Sequence, residues 1–273
     1  MGEIGTIMSN EQAAHSGRTA LITGSTSGIG LGIAKTLARS GANIIINGLG
    51  SEQQINAVVA EVSDIASAEV MYSAANMLVP EQIERMIAEA NKRFAGVDIL
   101  INNAGIQHVA PIQEFPVEKW NEIIAINLSS AFHTIRAATP RMLDKEWGRI
   151  VNVASIHAIV ASPYKAAYVA AKHGLAGLTK VVALEMATRN ITVNAVAPGY
   201  VETPLVTGQI ADTAKARGIT EKQVVEDVML AAQPTKKLIT IEEVADLVLF
   251  LCSDAAASIT GCLVPVDGGW SAQ

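Results

Sequence analysis

Thr23-Gly24-Ser25-Thr26-Ser27-Gly28-Ile29-Gly30 joins the apolar run Ala20-Leu21-Ile22-Thr23 to a helical pattern over residues 29–40. Glycines at 24, 28 and 30 let the chain turn tightly and let a pyrophosphate approach the backbone N–H groups. The helix that begins there presents the positive end of its dipole to the phosphates. No Lys-Ser/Thr pair follows the last glycine, so the segment is not a P-loop. A glycine pattern alone is an ordinary tight turn. Set between a strand and a helix, it reads as a dinucleotide-binding turn.

Working outward, the same alternation continues. Residues 43–47, 69–73, 97–102, 149–154, 191–197 and 262–266 read as further strands. Helical patterns fill 51–66, 80–94, 117–144, 166–189 and 242–253, and Gly41 closes the first helix as its C′ residue. This regularity predicts an α/β protein with a Rossmann-type, doubly wound parallel sheet of about seven strands in a single domain. Residues 17–273 are assigned to that domain and 1–16 to a flexible N-terminal tail, in which Gly2 and Thr6 fit a short acylation pattern common by chance. The more charged stretch 203–235 interrupts the alternation where such sheets carry lids or substrate loops.

Composition agrees. Half of the 273 residues are hydrophobic and 17% are charged, which excludes a disordered chain. With aromatics at 4%, the core is left to Ala, Val, Ile and Leu, as suits strands buried on both faces. A net charge of −6 without a basic run argues against nucleic acid and anionic membranes as partners. No apolar run reaches the ~18 residues of a membrane span. Cys252 and Cys262 lack zinc or CxxC spacing, which favours a reduced, cytoplasmic setting, and His108, His133 and His173 show no metal spacing.

A second site is Ser155, followed by Tyr168 and Lys172. The last two, at i and i+4, share a helix face. A tyrosine acting as base at neutral pH needs its pKa lowered by about three units, roughly 4 kcal/mol. An ammonium about 4 Å away at an effective dielectric near 20 supplies about that much. Tyr164 offers no such pair, because its i+4 residue is Tyr168.

Asn102-Asn103-Ala104-Gly105 after the fourth strand, Asn127 in the helix that follows and Pro198-Gly199 after the sixth strand complete a pattern. With these motifs, residues 17–273 resemble the short-chain dehydrogenase/reductase family. The resemblance implies that Ser155 binds the substrate oxygen and Tyr168 is the acid/base. It also implies that Lys172 lowers the tyrosine pKa and holds a ribose, and that Asn127 supports a proton-relay water. It places the cofactor on Gly24, Ser27, Gly28, Ile29, Gly30, Leu49, Asn76, Asn103 and Gly105, then on Tyr168, Lys172, Pro198, Gly199 and Val201. The second strand ends in Asn47-Gly48-Leu49-Gly50, with neither the usual carboxylate nor an Arg for a 2′-phosphate. Lack of a cation favours NAD. Asn76 stands where many relatives carry Asp, and its carbonyl can still accept from adenine.

Four more segments narrow the resemblance: Gly105-Ile106-Gln107-His108, Ser155-Ile156-His157 through Lys165, Thr203-Pro204-Leu205-Val206 with Gln209, and Asp267-Gly268-Gly269-Trp270. They are similar to the family's members that oxidise (R)-3-hydroxybutyrate to acetoacetate with NAD. That likeness implies a small hydroxy acid as substrate. Its carboxylate would be held by Gln107, His157, Lys165 and Gln209, with Tyr200 and Trp270 near its methyl end. A Trp is commoner than Tyr at position 200. The likeness also implies a homotetramer. The alternatives are another member of the family, such as a 3-ketoacyl reductase or sugar dehydrogenase, and a dinucleotide-binding protein without turnover.

Overall fold

On β1 (Thr19–Ile22), Ala20 and Ile22 join one helical layer and Leu21 joins the other. Successive strand residues point to opposite faces, so a strand covered on both sides must be apolar throughout. β2 (Asn43–Asn47) repeats the split, with Ile44 and Ile46 on one face and Ile45 on the other. The remaining strands are β3 (Val70–Ser73), β4 (Ile99–Asn102), β5 (Gly148–Val153), β6 (Ile191–Pro198) and β7 (Leu263–Val266). This computed structural model describes residues 14–272. Its sheet has the order β3-β2-β1-β4-β5-β6-β7, and every pairing is parallel.

The helices that cover it are α1 (Gly28–Arg39), α2 (Glu52–Ser63), α3 (Pro80–Phe94), α4 (Val117–Ile124), α5 (Ser130–Lys145), α6 (Ala166–Met186) and α9 (Ile241–Cys252). On one face lie Ile33 and Leu37 of α1, Val62 of α2 and Val248 of α9. On the other lie Ile83 and Met86 of α3, Met142 of α5 and Val182 of α6. Truncating a fully buried core residue such as Ile46 or Leu100 to Ala is expected to cost about 2–5 kcal/mol. Capping boxes at Ser51–Gln54 and Thr240–Glu243 fix the starts of α2 and α9. Gly41, at φ +91°, ends α1.

Two sequence expectations are refined, and a third segment is filled in. The 117–144 pattern is helical throughout but changes register: α4 ends at Ile124, a π-turn spans Ala125–Ser129, and α5 follows directly. A π-turn adds one residue within a helix and leaves the apolar period almost intact, which hides it in the sequence. The tail boundary also moves. His15 is buried, with Nδ1 3.0 Å from Ser40 Oγ and Nε2 3.3 Å from the Cys252 carbonyl. The fold therefore includes residues 14–16, and the rest of the expected tail, Gly2 and Thr6 included, lies outside the described residues. Finally, the 203–235 stretch is largely helical. α7 (Pro204–Gly208), α8 (Ile210–Arg217) and a π-turn over Val224–Met229 pack around Tyr200, Ala214, Val224 and Met229.

Strand order reverses at β1, with β2 on one side and β4 on the other. In doubly wound sheets the ligand crevice opens at that point, at the carboxyl ends of the strands.

Candidate active site

β1 runs through Thr23 into Gly24 at φ +62°, and α1 starts at Gly28 at φ +55°. Ser27, its N-cap, makes no capping hydrogen bond, so the first-turn N–H groups keep no side-chain partner. A Cβ on Gly30 would sit 2.4 Å from Asn103 Nδ2 and 2.5 Å from the Gly24 carbonyl, so only glycine fits. Asn103 Nδ2 donates to the carbonyls of Thr23 and Gly24, both at 2.9 Å, locking the end of β4 to the turn.

The result is a cleft of about 370 Å³ lined by Gly24, Ser27, Gly28, Ile29, Leu49, Asn76, Asn103 and Gly105. Gly30 stands behind the lining and acts through close packing. No charged side chain lines the cleft. Backbone N–H groups with no cation suit a pyrophosphate and a free 2′-hydroxyl. A smaller adjoining cavity, about 90 Å³, brings Tyr168, Lys172, Pro198, Gly199 and Val201 beside Ile29, Asn103 and Gly105. Asn47, which stands near the expected carboxylate position, is fully buried. Its Oδ1 accepts from Gly24 N, and its Nδ2 donates to the carbonyls of Ser73 and Ala75, so it braces the turn. Asn76 Oδ1 accepts from Leu78 N at 3.0 Å, leaving one lone pair for any adenine contact.

Thr203 is expected only within the substrate segment, yet it lines both the cleft and the adjoining cavity and caps α7 by accepting from Val206 N. Thr-Pro at a helix start was its available signal. Thr26, Met77 and Ala104 also line the cleft. Thr26 and Ala104 lie inside the Thr23–Gly30 and Asn102–Gly105 motifs, whereas nothing in the local sequence separates Met77 from an ordinary core residue.

β5 delivers Ser155 and α6 delivers Tyr168 and Lys172. Ser155 Oγ accepts from His157 N at 3.2 Å and is within hydrogen-bonding reach of Tyr168. Burial raises the Tyr168 pKa above its ordinary value, and the bond to Ser155 opposes this. Lys172, expected to depress it, donates Nζ to the Val153 carbonyl at 2.7 Å and lies 5.5 Å from the Tyr168 ring centroid. Burial pushes the lysine itself down to about 8. Asn127, inside the π-turn, exchanges two 2.9 Å bonds with the backbone of Ile106. Its side chain fixes the loop after β4, and only its remaining side-chain N–H and its second Oδ1 lone pair are left on that side chain for a relay.

Next to Ser155 and Tyr168 lies a pocket of about 50 Å³, lined also by Gln107, His157, Lys165, Tyr200, Gln209 and Trp270. Its size admits only a small molecule. Trp270 stacks on Tyr200, with centroids 5.4 Å apart, and meets His157 edge-on at 5.5 Å. Lys165 is only 6% exposed, and among the described residues no carboxylate pairs with it. Burial, and then the charge of Arg217, bring its pKa down to about 8. Burial and Lys165 drive His157 to about 3, so its imidazole is neutral. His157 Nδ1 and Gln209 Oε1 are buried without hydrogen-bond partners. Gln107 Oε1 accepts from His108 N at 3.1 Å. A buried ammonium among unsatisfied polar atoms is unfavourable by several kcal/mol unless a ligand completes it.

Residues 24–271 match the family profile described as "Enoyl-(Acyl carrier protein) reductase", and the chain belongs to the short-chain dehydrogenase/reductase family. Its members are nicotinamide-dependent oxidoreductases. The chain is 59% identical over 256 residues to the D-beta-hydroxybutyrate dehydrogenase of Rhizobium meliloti, covering 94% of this chain and 99% of that one. It is 52% identical over 257 residues to the D-beta-hydroxybutyrate dehydrogenase of Cupriavidus necator, with the same coverage. Among solved structures, a single-substitution variant of actinorhodin polyketide ketoreductase with NADPH superposes with a TM-score of 0.88 at 31% identity, over 94% of this chain and 98% of that one. Levodione reductase gives 0.86 at 32% identity with the same coverage.

Proposed function

We propose that this protein oxidises (R)-3-hydroxybutyrate to acetoacetate, reversibly, with NAD. The observation that carries the substrate assignment is the buried, unpaired Lys165 ammonium, which shares one small pocket with His157, Gln107, Gln209 and the Ser155–Tyr168 pair. A small hydroxy acid supplies what that pocket lacks: a carboxylate for Lys165 and acceptors for the amide and imidazole N–H groups. The two relatives named for D-beta-hydroxybutyrate point the same way.

In this mechanism Lys165 neutralises the substrate carboxylate, while His157, Gln107 and Gln209 orient it. Tyr200 and Trp270 form the apolar wall for the methyl end. Ser155 Oγ hydrogen-bonds the substrate hydroxyl, and Tyr168, once its own proton has been released to solvent through the Asn127 relay, takes the substrate proton as a phenolate while the carbonyl forms. Lys172 holds a ribose and keeps a positive charge behind Tyr168. The chemistry supplied by a bound nicotinamide dinucleotide is hydride acceptance, together with a positive charge in its oxidised form. The turn at Gly24–Gly30, with Leu49, Asn76, Asn103 and Gly105, binds that dinucleotide, and the absence of a cation around the cleft favours NAD over NADP.

We read residues 14–272 as one catalytic domain in which 203–235 serves as the lid over the substrate. Exposed Val117 and Trp120 on α4, Phe132 on α5 and Val181 and Leu184 on α6 support assembly into a homotetramer. Two free cysteines support a cytoplasmic setting. No helix among the described residues is long and apolar enough to cross a membrane. The experiment is NADH formation from NAD with the (R) and (S) acids in turn. Turnover of the (R) acid alone supports the reading; inertness toward both sinks it.

A further inference from the structure

Tyr200 and Trp270 have a second face. Behind their stack lies a cavity of about 270 Å³, also lined by Ser162, Arg217 and Asp227. The substrate pocket thus has two neighbours. It shares Ser155, Tyr168, Gly199, Leu205 and Val206 with the cavity beside the dinucleotide cleft, and Tyr200 and Trp270 with the cavity of Arg217. A bound dinucleotide takes up the first neighbour, which leaves the aromatic stack as the wall facing a second space.

Arg217 is an unusual residue to find there. It ends α8, where Gly218 at φ +67° turns the chain back. Among the described residues no carboxylate pairs with its guanidinium, and its Nε is buried without a hydrogen-bond partner. Its ring neighbour is Tyr164, 5.8 Å from guanidinium carbon to ring centroid. Lys215, in the same helical turn, is exposed to water. A buried guanidinium nitrogen left unpaired is costly, and the planar fork of donors matches a carboxylate. Arg217 lines this cavity and not the substrate pocket, and its charge is felt at both Lys165 and Tyr200. Asp227 is the one acid in the lining.

We propose that the Arg217 cavity is the port through which the hydroxy acid reaches Lys165, with Arg217 as the first contact of its carboxylate. This rests on the hydroxy-acid reading above. The acid docks on Arg217, passes the Tyr200–Trp270 stack and exchanges the guanidinium for the deeper ammonium. A cation without a counter-ion at a mouth raises the local anion concentration, so the effect belongs to substrate capture. Asp227 opposes it.

The test is initial rates with saturating NAD and varied (R)-3-hydroxybutyrate, at low and high NaCl, for wild type, Arg217→Gln, Arg217→Lys and Asp227→Asn. Arg217→Gln is expected to lower kcat/KM about tenfold, through KM, with kcat and the KM for NAD within about twofold of wild type. Salt should lower the wild-type kcat/KM and leave that of Arg217→Gln nearly flat. Arg217→Lys should recover the salt sensitivity, and Asp227→Asn should raise kcat/KM, a gain that misfolding cannot imitate. Wild-type kcat/KM and salt response in Arg217→Gln would overturn the port while leaving the hydroxy-acid reading intact. So would a loss confined to kcat. A wild type inert toward 3-hydroxybutyrate overturns both.

Discussion

The ammonium of Lys172 stands 5.5 Å from the ring centroid of Tyr168 while it donates to the main-chain oxygen of Val153. Burial raises the phenol and lowers the lysine to about 8, so in the absence of ligands Tyr168 is a neutral acid. In the proposed mechanism its role as base therefore depends on charge delivered with the cofactor. Tyr168→Phe should reduce kcat by about 10²–10⁴, the usual worth of a positioned acid/base, with NAD binding retained by fluorescence titration. Lys172→Ala should damage turnover and NAD binding together. A Tyr168→Phe protein with a tenth of wild-type kcat would refute the assignment.

Substrate binding should carry its own pH signature. Lys165 has a pKa near 8 in the unliganded protein, and only its charged form pairs with a carboxylate. The affinity of butyrate, a carboxylate with no hydroxyl to oxidise, should be constant from about pH 6 to 7. It should then weaken as pH rises past 8, approaching about tenfold per unit for one proton lost. His157 is neutral down to about 3 and adds no break near 6.5. The inhibition constant against pH measures this, and an inflection near 6.5 would mean that the imidazole carries charge.

The cofactor loop tolerates little. With no cation lining the cleft, kcat/KM should favour NAD over NADP by at least about tenfold, or 1.4 kcal/mol. Gly30→Ala forces its Cβ into Asn103 Nδ2 and the Gly24 carbonyl. The KM for NAD should rise and Tm should fall together. Equal use of NADP would show that a basic residue beyond the cleft lining reaches the phosphate.

Asn127 and Ile106 offer a separate check, since their paired bonds tie the π-turn to the loop that carries Gly105 and Gln107. Asn127→Ala leaves a backbone N–H and C=O of a half-buried loop unpaired, at about 1–3 kcal/mol. Chemical denaturation should show that loss, with kcat falling as well. An unchanged denaturation midpoint would mean that water replaces both bonds.

Local signals carried much of this structure in the sequence. Gly24, Gly28 and Gly30 sit between a strand and a helix, and Tyr168 and Lys172 share a face, because short-range geometry dictates both patterns. The strand alternation was equally visible, since both faces of Ala20-Leu21-Ile22 must be apolar. What stayed hidden is tertiary. The π-turn at Ala125–Ser129 costs one residue of helical phase and gains its meaning from Ile106, about twenty residues away. Lys172 on α6 pairs with the Val153 carbonyl at the end of β5, Asn47 braces three segments, and Arg217 looks like any helix-ending cation until its missing counter-ion is seen.

The assignment stands most directly on Lys165. The decisive measurement is kcat/KM of Lys165→Ala for (R)-3-hydroxybutyrate, beside the NAD affinity of the same protein. Removing the counter-ion of a buried carboxylate should cost roughly 2–5 kcal/mol, at least about a thirtyfold loss, with NAD affinity unchanged. Wild-type efficiency in Lys165→Ala would contradict the hydroxybutyrate assignment and leave a dehydrogenase of the same family acting on another substrate.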